Sequence, residues 1–367
     1  MTIDIVGQRL RNQKLVRSDV RSPAEIVAWL GAVQSQDYAG AKWALNLRGH
    51  RSAGSAGLTD ADVDRAFNDG AILRTHALRP TWHFVAPADI RWILSLTGPR
   101  VQVGNRHYCR KNGLDEKILA CSRRTLERAL RGGKHLTRTA LGAALARAGI
   151  AGTGQRLAYL MMDAELEQVI CSGPRLGKQF TYALLDERAP RARALKGDEA
   201  LAELTRRYFA SHGPATVRDF VWWSGLTVKS ARTGLEMLGD AVVSGTEDGL
   251  TYWSMPSRRS TKASTRSADP TVYLLPNYDE YLIAHKDRGQ CLDPSGLPPP
   301  GAFDGFPHQL VIDGILRGAW RRTLSARAAE IVVRPFRALS KTEKLALSDA
   351  VERYGTFLNL PAVLSIV

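Results

Sequence analysis

The chain has 367 residues, 44% of them hydrophobic and 24% charged, a composition typical of folded globular proteins. This length is too great for one ordinary core, so we expect two or more domains. No apolar run approaches the roughly 18 residues of a membrane span, and residues 1–10 lack the apolar segment and cleavage site of a signal peptide. The expected location is therefore cytoplasmic, with no membrane partner.

The formal net charge is +15, and basic proteins of this size usually bind a polyanion. The alternative is a genome rich in Arg, Ala and Gly codons, which would raise the arginine content everywhere. The four cysteines are far apart and form no Cys-x-x-Cys pair, and the eight histidines lack the spacing of metal ligands. We therefore expect neither a metal nor a cofactor.

The first element signal is a capping box at residues 22–25, with proline at the first helical position. The apolar face over 26–33 predicts that this helix continues to about residue 33. Residues 59–62 begin a second helix, which ends at Gly70. Strands at 72–77 and 81–85 then flank the turn at 78–80 and form a hairpin, interpreted as a wing.

Two further copies of this pattern follow. In the second, Thr137 and Thr153 cap helices, and strands at 169–171 and 179–183 flank a basic, glycine-rich turn. The third follows a helix at 198–211 and has helices at 215–223 and after Thr227, then strands at 241–244 and 251–254. Three copies of helix, helix and hairpin predict tandem winged helices, whose second helix enters the DNA major groove while the wing contacts the backbone. Because a helix-turn-helix is also a packing solution, one copy alone would indicate DNA binding only weakly.

The pattern changes after the third copy. Residues 257–268 are polar and basic, as in a mobile linker or an ordinary solvated loop. Strands beyond this segment, and a capping box at Ser340, predict a small β-barrel or curled sheet with a closing helix. The expected fold class is α+β, with three tandem winged-helix motifs and a C-terminal β-barrel-like domain. The expected units are residues 1–115, 116–195, 196–256, a linker at 257–269 and the β-rich domain at 270–367.

Two short segments contain polar residues next to apolar and aromatic ones, where catalytic or binding side chains could lie. Gln34 and Gln36 share a side only where the backbone leaves the helix; otherwise they are surface glutamines in a fraying turn. In the first hairpin, alternation places Thr81 and His83 on one face and Trp82 on the other. These side chains either meet a base or phosphate of DNA or form a half-buried aromatic cluster.

A third polar segment, residues 274–288, contains the pairs Asp279-Glu280 and Asp287-Arg288. Paired acids can perform general acid–base catalysis. At the ends of strands, however, ion pairs that hold a loop are more common, and we favour that structural interpretation.

Taken together, these segments resemble the bacterial AlkZ family of DNA glycosylases, helix-turn-helix enzymes that unhook alkylated guanines and interstrand crosslinks. The likeness runs from about residue 5 to residue 360. The motifs that carry it are, in order, AVQSQDYAGA at 32–41, LRPTWHFV at 78–85, LLPNYDEY at 274–281 with Asp287-Arg288, and Asp313-Gly314 with GAWRR at 318–322.

The resemblance implies three winged helices arranged around a DNA channel, together with a β-barrel, and a catalytic Gln-x-Gln motif at Gln34 and Gln36. A sister branch has Asp at the second position, so Gln36 resembles the crosslink-unhooking branch. An N7-alkylguanine is already cationic and leaves readily, so hydrolysis needs a positioned water and a polar group facing the sugar rather than a strong base. We hypothesise that Gln36 holds the water and Gln34 supports it or the sugar, with Thr81, Trp82 and His83 as secondary candidates.

The expected partner is double-stranded DNA with alkylated purines, bound by a monomer. The side chains expected to contact it are Arg79, Arg175, Lys178, Lys229, Arg232, Arg317, Trp320, Arg321 and Arg322. No lysine flanks the glutamine motif more closely than Lys42, so we expect a monofunctional enzyme that leaves an abasic site. The competing function is a winged-helix transcription regulator, although regulators usually carry one wing per subunit and dimerise on two half-sites.

Overall fold

The computed structural model of the chain describes residues 3–16, 18–50, 57–256, 269–293 and 298–367. Of the predicted linker at 257–269, residues 257–268 lie outside this range. The mixed α+β class is confirmed. No helix among the described residues is long and apolar enough to span a bilayer.

The first repeat contains a short strand directly after its leading helix. A capping box between Ser22 and Glu25 starts that helix as predicted, and Gly31 ends it with a φ of 81°, before the apolar pattern ends. The short strand, Val33–Gln34, pairs with the second strand of the hairpin. The elements up to the long helix that follows are α1 (Ile5–Asn12), α2 (Pro23–Leu30), β1 (Val33–Gln34), α3 (Tyr38–Arg48), α4 (Asp60–Asn68), β2 (Leu73–Ala77), β3 (Thr81–Val85) and α5 (Ile90–Lys111).

The second repeat has the same order, with a short strand between its first two helices. That strand pairs with the second hairpin strand, Leu136 opposite Tyr182. Thr137 caps the next helix as predicted, whereas Thr153 precedes its helix without a side-chain cap bond. The elements are α6 (Glu116–Leu130), β4 (Leu136–Thr137), α7 (Arg138–Arg147), α8 (Gly154–Leu166), β5 (Ile170–Ser172), β6 (Thr181–Leu184) and α9 (Leu185–Arg188).

In the third repeat a single bridge between Ala215 and Trp253 takes the place of the short strand. The hairpin strands are longer than predicted, because Asp248 and Gly249 alone form the turn, with φ of 50° and 74°. The elements are α10 (Gly197–Ser211), α11 (Val217–Ser224), α12 (Val228–Leu238), β7 (Val243–Glu247) and β8 (Leu250–Ser254).

The C-terminal strands form an open sheet, and the predicted barrel is not found among the described residues. The strand order is β13-β12-β11-β10-β9, so β13 and β9 are edges that do not meet. The last strand lies parallel to β12, which it reaches through a long helix that packs against the sheet. The elements are β9 (Val272–Leu275), α13 (Glu280–Ile283), β10 (His308–Ile312), β11 (Ile315–Leu324), β12 (Ala329–Pro335), α14 (Lys341–Leu358) and β13 (Ala362–Ile366).

Separate groups of buried apolar side chains hold these segments together. The first and second repeats each have a core, a third core joins α5 to α10, α11 and α12, and a fourth lies under the C-terminal sheet. Helix α3 contributes Trp43 and Leu47 to the fourth core, and the Trp43 indole N–H donates to Leu274 O at 2.6 Å. The segment just after Gln36 is therefore anchored against the C-terminal sheet.

Candidate active site

The helix ends before the Gln-x-Gln segment, as joint action of the two glutamines requires: Gln34 lies on β1 and Gln36 in the bend that follows it. Gln34 lies opposite His83 in the pairing of β1 with β3. Ser35 N donates to Trp82 O at 2.8 Å, and the exposed Gln36 accepts from Trp82 N through Oε1 at 3.4 Å. The side chain of Gln34 is 7% exposed, and its Oε1 has no partner. Asp37 N-caps α3 and so ends the extended stretch.

A buried carboxylate holds this strand from behind. Glu280 is 1% exposed, and its Oε1 accepts the backbone N–H of Gln34 at 2.8 Å. Its Oε2 accepts the indole N–H of Trp223 at 3.0 Å and lies 3.5 Å from His212 Nε2. Burial acts to raise the pKa of Glu280, but the hydrogen bonds and the neighbouring imidazoles outweigh it, so the pKa is lowered and the group is ionised.

Asp279, the residue before this glutamate, has the structural role that the sequence indicated. Arg48 donates from Nη1 and Nη2 to its two carboxylate oxygens at 2.8 and 2.7 Å, and the pair is buried. Asp279 also N-caps α13, in which Glu280 is the first residue. For Glu280 the sequence indicated only an ion pair or general acid–base catalysis, because nothing local distinguishes a carboxylate that forms an ion pair from one that binds a distant backbone N–H.

His83 is buried and uncharged at neutral pH. Burial lowers the pKa of its imidazole to about 4. Its Nδ1 lies 2.9 Å from Thr81 O; because a carbonyl oxygen only accepts, Nδ1 carries the proton and Nε2 is an acceptor. That Nε2 has no partner, and neither has the buried Oγ1 of Thr81. The imidazole is thus suited to accept a hydrogen bond from a water or a substrate group.

Trp82, on the other face of β3, belongs to an aromatic and cationic stack. The guanidinium of Arg74 lies 4.1 Å from the centroid of its ring, and the ring of His76 lies 4.0 Å away. Arg74 also donates from Nε and Nη2 to Ser35 O at 3.2 and 3.1 Å. Trp82 is therefore a half-buried cluster member, and Arg74, which was not predicted from the sequence, fixes the peptide between the two glutamines.

Several predicted DNA contacts are at the surface. Lys178, Lys229, Arg232 and Arg321 are exposed, with Lys229 and Arg232 on α12 as predicted. Arg79 lies in the turn between β2 and β3 and packs its guanidinium 5.2 Å from the centroid of the Trp222 ring.

The remaining predicted contacts are engaged within the protein. Trp320 is a correction, because it is fully buried with its indole N–H donating to Leu275 O at 2.9 Å, and so it packs the core and offers no surface to DNA. Arg322 donates to Tyr354 Oη at 2.6 Å and lies 3.5 Å from Asp37. Arg317 forms an ion pair with Asp293.

Arg175 is also engaged: it stacks over Tyr38 and Phe180 and lies 3.6 Å from Asp64. Its half-buried guanidinium joins the second repeat to the first at the start of α3.

Among the described residues, no group of three or more His, Cys, Asp and Glu side chains has the geometry of a metal site.

Four of the buried polar atoms that lack a hydrogen-bond partner lie on β1, on β3 or directly after β1. Gln34 Oε1, Ser35 Oγ, Thr81 Oγ1 and His83 Nε2 are all buried and unpaired. Buried polar atoms are nearly always hydrogen-bonded in native proteins. A cluster of neutral acceptors and hydroxyls, with an anion behind it, is suited to orient a water molecule and to stabilise a cation.

Comparisons with known proteins agree with one another. The model of a family described as DNA glycosylase AlkZ-like matches residues 27–357. A Streptomyces sahachiroi protein named interstrand DNA cross-link repair glycosylase is 25% identical over 362 residues, which cover 95% of this chain and 93% of that protein. The solved structure of the DNA glycosylase AlkZ from Streptomyces sahachiroi matches with a TM-score of 0.79 at 20% identity, covering 99% of this chain and 98% of that one.

Proposed function

The chain belongs to the AlkZ-like family of DNA glycosylases, and from this premise we propose that it hydrolyses the N-glycosidic bond of N7-alkylguanines in duplex DNA. The proposed substrates include bulky adducts and interstrand crosslinks, in DNA repair or in self-resistance to a genotoxin. The relative named for crosslink repair supports the larger substrates. A transcription regulator receives no support from the comparisons.

The observation that carries the proposal is the non-helical backbone of residues 34–36, where Gln34 ends β1 and Gln36 lies in the following bend, beside unpaired buried acceptors. In our proposal the exposed amide of Gln36 orients the attacking water. Gln34 and the neutral His83 lie behind it and face the sugar, where positive charge develops in an oxocarbenium-like transition state. Preorganised dipoles of this kind are typically worth roughly 10²–10³-fold in rate.

The reaction is proposed to stop at base release. A lyase needs a free amine near the sugar. Lys42, the lysine nearest to the motif in sequence, is 4% exposed and forms ion pairs with Asp60 at 2.7 Å and Asp64 at 2.9 Å. An amine held in this way is unavailable as a nucleophile, which supports a monofunctional enzyme that leaves an abasic site.

DNA is proposed to bind as a duplex to a monomer, along a channel formed by the three repeats acting as winged helices. The exposed cations of the second and third repeats, Lys178, Lys229 and Arg232, would contact the phosphate backbone. An open channel accommodates a crosslinked second strand, which a closed pocket for one extruded base does not.

The test is single-turnover excision from a duplex with one N7-methylguanine. We expect base release by the wild type and a fall of roughly 10²-fold in Gln36→Ala, with DNA affinity retained. The matched control is Gln155→Ala, which removes an exposed amide at the start of α8 and should leave the rate unchanged. A rate for Gln36→Ala within threefold of the wild type would refute the role of Gln36. If the wild type releases no base from this duplex or from a crosslinked one, the glycosylase proposal fails and a DNA-binding regulator is the better account.

A further inference from the structure

An exposed tryptophan between two cations lies beside the candidate active site. Trp222, on α11, is 37% exposed, although its indole N–H donates to Ile283 O at 2.9 Å and so fixes the ring. Arg79 Cζ lies 5.2 Å and Lys286 Nζ 4.8 Å from the centroid of that ring. Two cationic side chains thus contact the same aromatic ring.

Arg288, which is exposed and follows Lys286 by two residues, adds a third positive charge to this loop. Burial lowers the pKa of the Arg79 guanidinium, and the charge of Arg288 acts in the same direction, although Glu280 opposes it. No ion pair joins Arg79, Lys286 or Arg288 to an acid of the described residues. Asp287, the acid between the last two, accepts the backbone N–H of Gly289 at 2.8 Å instead.

Other arginines that are buried or partly buried have acceptors within the protein. Arg48 and Arg207 each have a carboxylate partner, and Arg74 donates to the carbonyl oxygen of Ser35. Lys286 and Arg288 are exposed, whereas Arg79 is half-buried, so Arg79 is the cation of the three that loses hydration without gaining a counter-ion. The Nε of Arg79 is buried and has no hydrogen-bond acceptor, and an anion with several acceptor oxygens would give it a partner.

The cluster lies next to the proposed reaction site. Arg79 is in the turn that leads directly into Thr81 and His83. The end of α11 fixes this turn, because a Cβ at Gly225 would collide with the carbonyl oxygen of Leu78. Since phosphates flank the sugar of every nucleotide, a sugar bound at Gln34 and Gln36 brings a phosphate towards this turn.

We propose that Arg79, Lys286 and Arg288, supported by Trp222, form a binding site for the backbone phosphate next to the reacting nucleotide. Arginine offers paired donors to a phosphate, and lysine offers a compact charge. The bound phosphate also neutralises Arg79, whose positive charge would otherwise oppose the charge that develops on the sugar. This phosphate site extends the proposed function, and it rests on that function because the reacting nucleotide is identified only by the proposed glycosylase reaction.

The test measures affinity for a duplex with one tetrahydrofuran abasic analogue, over a range of KCl concentrations, with Arg79→Gln, Lys286→Gln and Arg288→Gln. The slope of log K against log[salt] should fall by about 0.9 for each phosphate that the variant no longer neutralises, and affinity at a fixed salt concentration should fall roughly 3- to 10-fold. The control, Lys344→Gln, removes the same charge as Lys286→Gln from the exposed face of α14 and should leave the slope unchanged. Melting temperatures identify any variant that is misfolded.

A second arm locates the phosphate by replacing single phosphates with neutral methylphosphonates. Next to the abasic analogue, the replacement should remove the difference between Lys286→Gln and the wild type; several positions away, the difference should persist. Variants that behave like Lys344→Gln, or a defect that is the same for every replaced phosphate, would overturn the proposal. Because this duplex has no base to release, the phosphate site and the glycosylase activity stand or fall separately.

Discussion

Replacing Glu280 by glutamine removes the buried negative charge while nearly preserving the shape of the side chain. The amide oxygen can still accept the N–H of Gln34, which the carboxylate binds at 2.8 Å. The NH₂ group then faces the indole N–H of Trp223, which has lost its acceptor. The substitution therefore changes two quantities, the charge behind the strand and one buried hydrogen bond.

The size of the effect follows from the position of the charge. If the sugar binds about 8 Å from the carboxylate, two unit charges at that distance interact by about 2 kcal/mol at an effective dielectric of about 20. The proposed substrate already carries a positive charge on the base. Glu280 therefore lowers the activation free energy only through the part of that charge that moves to the sugar in the transition state, which amounts to about 0.5–1 kcal/mol. The loss of the hydrogen bond from Trp223 adds roughly 1 kcal/mol, because the side chain that holds the strand is then less firmly positioned. We expect the single-turnover excision rate to fall about tenfold at unchanged DNA affinity.

The assay is excision of N7-methylguanine at saturating enzyme, together with the equilibrium dissociation constant for the same duplex. The matched variant is Trp223→Phe, which removes one donor to Glu280 but leaves the charge in place, so its excision rate should fall less. The lowered pKa of Glu280 predicts that the ratio of wild-type to Glu280→Gln rates is constant from neutral to alkaline pH. Wild-type activity in a folded Glu280→Gln variant would refute the electrostatic role of Glu280. If Glu280→Gln and Trp223→Phe lose the same activity, Glu280 only positions the strand.

Three further outcomes concern stability and are measured by urea unfolding. His83 has a pKa of about 4 in the fold and about 6.5 in an unfolded chain, so the unfolded state binds more protons between these values. His83 should therefore contribute about 3 kcal/mol to the loss of stability on acidification from pH 7 to pH 4, and His308, whose pKa burial also lowers to about 4, adds to that loss. His83→Asn should show a smaller pH dependence than the wild type, and an unchanged one would contradict the burial of His83. Arg48→Met leaves the Asp279 carboxylate buried without its partner and should cost about 3–5 kcal/mol, and a loss below about 1 kcal/mol would count against that ion pair. Gly225→Ala combines a φ of 70° with a clash at Leu78 and should cost at least about 1 kcal/mol, whereas wild-type stability would show that the turn relaxes freely.

Helix starts were predictable because their determinants lie within four residues. The capping boxes at Ser22, Thr59 and Ser340 are all present, with the side chain of each N-cap accepting the backbone N–H of the third helical residue. Asp313-Gly314 is a dipeptide that favours a two-residue hairpin turn, and it forms one between β10 and β11, with both residues at positive φ. In each case the sequence alone contains the whole interaction.

The carboxylate behind the strand and the open sheet were not predictable in this way. Glu280 contacts Gln34 across 246 positions, and no local pattern reports such a contact. The sheet stays open because α14 carries the chain to a parallel fifth strand, and neither the helix nor that strand signals its partner locally. In β11, strand alternation places Trp320 inside and Arg321 outside. The exposure of Trp320 could therefore not be inferred from the arginine next to it.

The two carboxylates nearest the glutamine motif are both engaged, which restricts the chemistry available there. Asp37 caps α3 and lies 3.5 Å from Arg322, while Glu280 is 1% exposed and behind the strand. In the proposed reaction neither carboxylate would attack the sugar, whereas the Gln36 amide is exposed and neutral. Glu280 would then act on the sugar only through its electric field, which stabilises a cation without trapping it as a covalent intermediate. Direct attack by water on a substrate that already carries a good leaving group is the reaction that such a site supports.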